Sequence, residues 1–112
     1  MKSIDRATEQ AVRRFLTLLA PSFSTAGAIL YGSRARGVFR PDSDADLAVL
    51  LLGGHQRALP TTLAMADVAY EVLLETGINI TPLPVWEEQW KHPDRHSNPA
   101  LLRNLAREGI PF

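Results

Sequence analysis

The sequence predicts an α/β (α+β) fold, a small mixed β-sheet flanked by helices. Three observations lead there. Strand-like apolar runs at Ala28–Tyr31, Asp46–Leu52 and Ile78–Val85 alternate with helical patterns at Ile4–Ala20, Pro60–Thr76 and Pro99–Glu108. Glycine or proline punctuates most junctions, at Pro21, Gly32, Gly37, Gly53-Gly54, Gly77 and Gly109. The 112 residues, 46% of them hydrophobic, suffice for one core, so residues 1–112 are read as a single domain.

In the first helix Val12, Phe15, Leu16 and Leu19 recur at i, i+3, i+4 and i+7, one apolar stripe that Pro21 ends. Ser22 to Ala26 reads as a small polar link into the first strand. Gly32 stops that strand, Ser33 is a suitable N-cap, and Arg34-Ala35-Arg36 forms a single helical turn closed by Gly37. Val38 to Asp42 is a loop in which Pro41 keeps Arg40 extended. In the second strand Leu50-Leu51-Leu52 breaks the apolar–polar alternation, as expected of a strand covered on both faces.

The second long helix is expected to bury Leu63, Ala66, Ala69, Tyr70, Leu73 and Leu74 and to end at Gly77. The third strand contains Pro82 and Pro84, which donate no backbone hydrogen bond, so its far half belongs at an edge. Trp86 to Trp90 reads as a helical turn whose tryptophans fit core cover, a base-stacking platform or a partner contact, core cover first, and Lys91 to Asn98 reads as a polar loop. Pro99 near N1 opens the last helix and Gly109 stops it. Tyr31 and Tyr70 read as core or core-edge, and His55, after a Gly-Gly turn, as exposed.

Composition narrows the function classes. Lys+Arg and Asp+Glu both number 12, so the net charge is zero, which argues against binding long nucleic acid through charge. Cysteine is absent, which removes disulfides and thiol chemistry. No apolar run reaches membrane-spanning length, and MKSIDRATEQ carries no signal-peptide core. A cytoplasmic protein with no membrane association is the expectation.

The chemistry concentrates between Ile29 and Leu52. A strand followed at once by a helical turn presents free N–H groups at Gly32 and Ser33, suited to a phosphate. Strand side chains alternate, so Asp44 and Asp46 share a face, and two adjacent carboxylates are commonly reconciled by a divalent cation. Oxygen-only ligands favour Mg²⁺ or Mn²⁺. By themselves Asp42, Asp44 and Asp46 also fit a solvated acidic turn that keeps a sheet edge soluble. A calcium loop is ruled out, because Leu47 and Gly53 stand where its glycine and bidentate glutamate belong. Asp42 is read as a turn-former. Arg34, Arg36 and Arg40 fit contacts to phosphates or to a protein acid, or a solvated face. His92 and His96, with Pro93 between them and no third ligand nearby, do not make a zinc site.

Gly32-Ser33, ten intervening residues and Asp44-Ala45-Asp46-Leu47 resemble the signature of the DNA polymerase beta-like nucleotidyltransferase superfamily. The wording GSRARG…DSDADL and the short chain resemble its minimal nucleotidyltransferases, which are often encoded beside a HEPN-domain toxin. The resemblance implies a polymerase beta-like core, with Gly32, Ser33 and Arg36 binding the triphosphate of ATP and Asp44 and Asp46 holding Mg²⁺ or Mn²⁺ as the catalytic pair. It further implies AMP transfer to a hydroxyl on a HEPN partner.

The superfamily also carries a third carboxylate on a later strand. The matching strand here offers Asn79 and Thr81, neither of them acidic, and Glu71, Glu75, Glu87 and Glu88 are possible substitutes. An amide oxygen ligates Mg²⁺ weakly and is no base. Three readings follow: an AMP-transferring antitoxin; a catalytically weak binding module of the same fold that neutralises a partner by contact; and a nucleotidyltransferase for a small molecule of the antibiotic type. A HEPN-type partner protein or a homo-oligomer is expected, with a nucleotide as ligand, and a dimer could build the wall that the small-molecule enzyme lacks.

Overall fold

The computed structural model describes residues 4–54 and 57–112; His55 therefore lies outside the described residues. The elements run α1 (Arg6–Leu19), β1 (Thr25–Tyr31), α2 (Ser33–Arg36), β2 (Ala45–Leu51), α3 (Ala58–Thr76), β3 (Ile80–Trp86), α4 (Glu87–Lys91), a 3-10 turn (Pro93–Arg95), α5 (Pro99–Glu108) and β4 (Ile110–Pro111). The strands form one sheet in the order β3-β2-β1-β4. β1 lies antiparallel to β2 and β4, whereas β2 and β3 are parallel. This is the mixed sheet with flanking helices that the sequence predicts.

α1 begins where Asp5 caps it, accepting from the Thr8 N–H at 3.1 Å. Its predicted stripe is the buried one: Val12, Phe15 and Leu19 are fully enclosed and Leu16 packs against them. β2 is central and covered on both faces, with Ala45, Leu47, Ala48 and Val49 all fully buried. β3 is an edge along its whole length, not only in its far half. Its prolines at 82 and 84 lie two apart, so both missing donors fall on one lateral side, and an edge strand has a side that needs none.

Period two divides the sheet into two faces. Ala28, Leu30, Ala45, Leu47, Val49 and Ile80 pack with Val12, Phe15, Met65 and Val72 in the core beneath α1 and α3. Ile29, Ala48 and Val85 meet Leu102 and Leu105 of α5, with Tyr31, Leu50, Leu83, Trp90 and Leu101 around them. Trp86 is buried in the first cluster and Trp90 packs against the second, so both tryptophans serve as core.

Several expectations change. α3 buries Met65, Ala69 and Val72 and leaves Leu59, Leu63, Tyr70 and Leu74 between 58% and 69% exposed. The helix is apolar on two sides, and the face that meets the sheet is not its most leucine-rich one; Tyr70 is accordingly no core residue. β1 starts at Thr25, inside the expected polar link, because Thr25 pairs with Leu51. Trp86 ends β3 instead of opening α4, and the polar loop after α4 contains a 3-10 turn.

β4 was not expected at all. Gly109 does end α5, but at φ −71°, outside the left-handed region. A Cβ there would collide with the Ile29 Cγ2 methyl and lie 2.7 Å from the Leu105 carbonyl oxygen. Glycine lets the chain pass flat against β1, so that Leu30 pairs with Ile110 and Ile29 with Pro111. No helix among the described residues is long and apolar enough to cross a membrane.

Candidate functional site

The open end of the α5 face gathers the residues singled out in the sequence. Asp46 projects to the same side as Ala48 and Leu50, and the β1 register sets Tyr31 opposite it. In the parallel ladder Ala45 pairs with Ile80 and Asp46 with Thr81, which brings Asn79 level with Asp44. The Ala45 N–H donates to the Asn79 carbonyl at 2.9 Å, and the Asn79 side-chain amide donates to Asp44 Oδ1 at 3.2 Å. Asn79 therefore stands beside Asp44, and Thr81 level with Asp46, the two positions that the sequence offers in place of a third acid.

Gly32 forms the other wall. Its φ of 76° and ψ of −157° suit glycine, and a Cβ would run into the Asp46 carboxylate. The turn is thus held directly against Asp46. The α2 N-cap is Gly32, not Ser33; Ser33 is the first helical residue and makes no side-chain capping bond. Gly37 closes the turn in the left-handed conformation, as expected.

The three arginines divide in a way that residue type did not reveal. Arg36 and Arg40 are exposed, whereas Arg34 is 2% exposed. The Arg34 guanidinium donates to the Ser43 carbonyl at 2.9 Å, to Thr8 Oγ1 at 2.8 Å and to the Pro41 carbonyl at 3.1 Å, and lies over the Phe39 ring. It clamps the loop that delivers Asp44 to the end of α1. Neither the phosphate nor the solvated-face reading of Arg34 holds. The missed signal was Thr8, a polar residue on the otherwise apolar side of α1, fully buried in the fold.

Burial, then the neighbouring Asp44 carboxylate, push the Asp46 pKa up; Arg36 opposes them. Tyr31 is also raised, by burial and then by Asp46. Two acids with one arginine nearby leave negative charge uncompensated, an environment that favours a cation. Among the described residues no three His, Cys, Asp or Glu side chains come together as a metal cluster. Glu75 is paired with Arg14 at 2.8 Å, Glu87 with Lys91 at 3.0 Å and Glu88 with Arg95 at 2.7 Å, and Glu71 lies exposed on α3. None of them substitutes for the missing acid. The two carboxylates still fit Mg²⁺, which is commonly held by one or two carboxylates and completed by substrate phosphates and water.

A cleft of about 200 Å³ adjoins this site, between α2 and α5, and shares Tyr31, Gly32 and Arg36 with it. A wider cleft of about 550 Å³ lies at the β3 edge near Thr62, Pro84 and Arg95 and involves none of the site residues. His96 borders it, with Nδ1 accepting the Asn98 N–H at 2.9 Å.

Comparison with known proteins bears on the family and the fold. Residues 11–99 match the family model described as a nucleotidyltransferase domain. The fold resembles the crystal structure of a candidate nucleotidyltransferase from Sulfolobus solfataricus, with a TM-score of 0.54 at 20% identity over 100% of this chain and 90% of that one. No curated protein matches the sequence.

Proposed function

The chain belongs to the nucleotidyltransferase domain family, and we propose that it transfers AMP from ATP to a hydroxyl group on a HEPN-type partner protein, as an antitoxin. The observation that carries this reading is the placement of Asp46 against Gly32 at the end of a sheet face, with the Asp44 carboxylate as its neighbour. Ser33 Oγ and the backbone N–H groups of the turn bind the triphosphate, and Arg36 adds positive charge beside Asp46. Asp44 and Asp46 would hold Mg²⁺ or Mn²⁺, which would supply the charge neutralisation that nucleotidyl transfer needs.

In the transfer, the acceptor hydroxyl oxygen bonds to the α-phosphorus as the bond to the β-phosphate oxygen breaks. Pyrophosphate leaves, and the hydroxyl proton passes to water because Asn79 is no base. A partner protein is preferred to a small-molecule acceptor on account of the exposed apolar stripe Leu59, Leu63, Tyr70 and Leu74, a kind of surface that marks interaction sites. The antitoxin role itself rests on the GSRARG…DSDADL wording.

The test is the intact mass of the neighbouring gene's product after incubation with this chain, ATP and Mg²⁺. A gain of one or more AMP units, absent with Asp44→Ala, is expected. Asn79→Asp should raise the transfer rate by about 100-fold, the order that a positioned base contributes. The Asn79 amide also favours a second reading, a binding module of the same fold with little catalysis. A stable complex with no mass gain, even with Asn79→Asp, would establish that reading instead.

A further inference from the structure

On the reading that the acceptor hydroxyl belongs to a protein, we infer that the outer face of α3 docks a basic amphipathic helix of that partner, away from the nucleotide site. Leu59, Leu63, Tyr70 and Leu74 are each more than half exposed, and Ala66, also exposed, lies between them. At 100° per residue these five positions fall within a sector of about 80°. They form one continuous apolar ridge. From Leu59 to Leu74 the ridge is about 22 Å long, which matches about four turns of a second helix. An apolar helix face laid against another is a recurrent mode of recognition.

Charge decides what covers the ridge. Asp67 and Glu71 line one flank and make no ion pair among the described residues. Glu75 continues the line but is paired with Arg14 of α1. No lysine or arginine occurs between Ala58 and Thr76. Two unpaired carboxylates beside an apolar ridge complement lysine or arginine beside the apolar face of the occupant. The same carboxylates disfavour an anionic membrane, whose surface helices carry basic polar faces. They also disfavour a second copy of this chain. The spacing of the ridge is symmetric, so two-fold pairing would set Leu59 against Leu74 of the other copy and Leu63 against Tyr70. It would also bring the two Asp67 side chains together beside the axis, and like charges in that position cost affinity.

The ridge is separate from the site. Met65, Ala69 and Val72 seat α3 on the sheet face packed with Leu47, whereas Asp46 projects to the opposite face with Ala48. A helix docked on the ridge therefore leaves Gly32 and Asp46 open to a nucleotide. The end of the ridge at Leu74 leads through Gly77 to Asn79, which bonds Asp44. A protein seated there extends toward the end of the sheet that carries the acids, and its binding needs neither ATP nor metal.

The test measures binding of the neighbouring gene's product to the full chain by calorimetry in EDTA without ATP, and AMP transfer in Mg²⁺-ATP. Leu63→Gln with Tyr70→Gln places helix-forming residues at exposed positions and should weaken binding at least about tenfold. Asp67→Lys with Glu71→Lys should weaken it comparably, and the parent chain's affinity should fall as salt rises from about 0.05 to 0.5 M. Both variants should melt with the parent chain and transfer AMP at its rate when the product is saturating.

If the product binds and is modified but neither variant weakens binding, the docking surface is wrong while the proposed function stands. If only the glutamine variant weakens binding, the occupant is not basic and the inference falls. If both variants weaken binding and no chain transfers AMP, the docking surface is upheld and the transfer reading falls. A parent chain that sediments as a dimer, and as a monomer with the two glutamines, overturns the inference in favour of a second copy. Flotation of the parent chain with phosphatidylserine vesicles overturns it in favour of a membrane. No binding of the product overturns both readings.

Discussion

Arg34→Met tests how the site is held together. Methionine keeps the length and apolar bulk of the arginine stem but carries no donor, so the Ser43 and Pro41 carbonyls and Thr8 Oγ1 lose their partner together. An unsatisfied buried polar group costs about 1–3 kcal/mol. Two of these three bonds are only part-buried, which places each loss at the lower end, about 1 kcal/mol, and the sum near 3 kcal/mol. Domains of this size hold about 5–15 kcal/mol in total. The melting temperature should therefore fall by about 12 °C, at about 4 °C per kcal/mol.

The same change frees the loop that delivers Asp44, so affinity for Mg²⁺-ATP should fall at least about tenfold, as when a ligand's support is removed. Arg34→Lys retains the charge but not the fork, and should recover less than half of the stability. Differential scanning calorimetry and calorimetric titration read the two effects. A melting temperature within about 2 °C of the parent chain would refute the clamp.

Further outcomes test other parts of the account. The Asp46 pKa is raised on folding, so the folded chain holds that proton more tightly than the unfolded chain, and stability falls as pH rises above the ordinary carboxylate value of 3.8. In EDTA, Asp46→Asn should thus be more stable than the parent chain at pH 7 and should show no gain near pH 3. Thermal melts at the two pH values check this, and a variant less stable at pH 7 would contradict it. Gly109→Ala should cost about 2 kcal/mol by overpacking against Ile29 and the Leu105 carbonyl. In urea melts a loss under about 0.5 kcal/mol would mean that this glycine does no more than stop a helix.

Much of the fold was legible because its signals are local. The α1 stripe, the doubly buried β2 and the glycine-bounded α2 each follow from a periodicity or from a residue with special backbone freedom, and a linear sequence carries both. Asp44 and Asp46 were assigned one face for the same reason, since alternation along a strand needs no knowledge of its neighbours. Gly32, Ser33, Asp44 and Asp46 could thus be singled out before any strand was paired.

What the tertiary structure decided depends on which elements meet. α3 is apolar on two sides, and only the sheet selects Met65, Ala69 and Val72 over Leu59, Leu63, Tyr70 and Leu74. A two-residue β4 has no periodicity to read; it exists because Gly109 lets the chain lie against β1. Asn79 reaches Asp44 through the register of a parallel ladder, a contact across 35 residues. Arg34 looks like its neighbours Arg36 and Arg40 until Thr8, 26 residues away, comes to meet it. Residue type and spacing disclosed which groups can do the chemistry; the pairing of distant segments decided which of them touch, and so which arginine braces the site and which amide stands beside its acids.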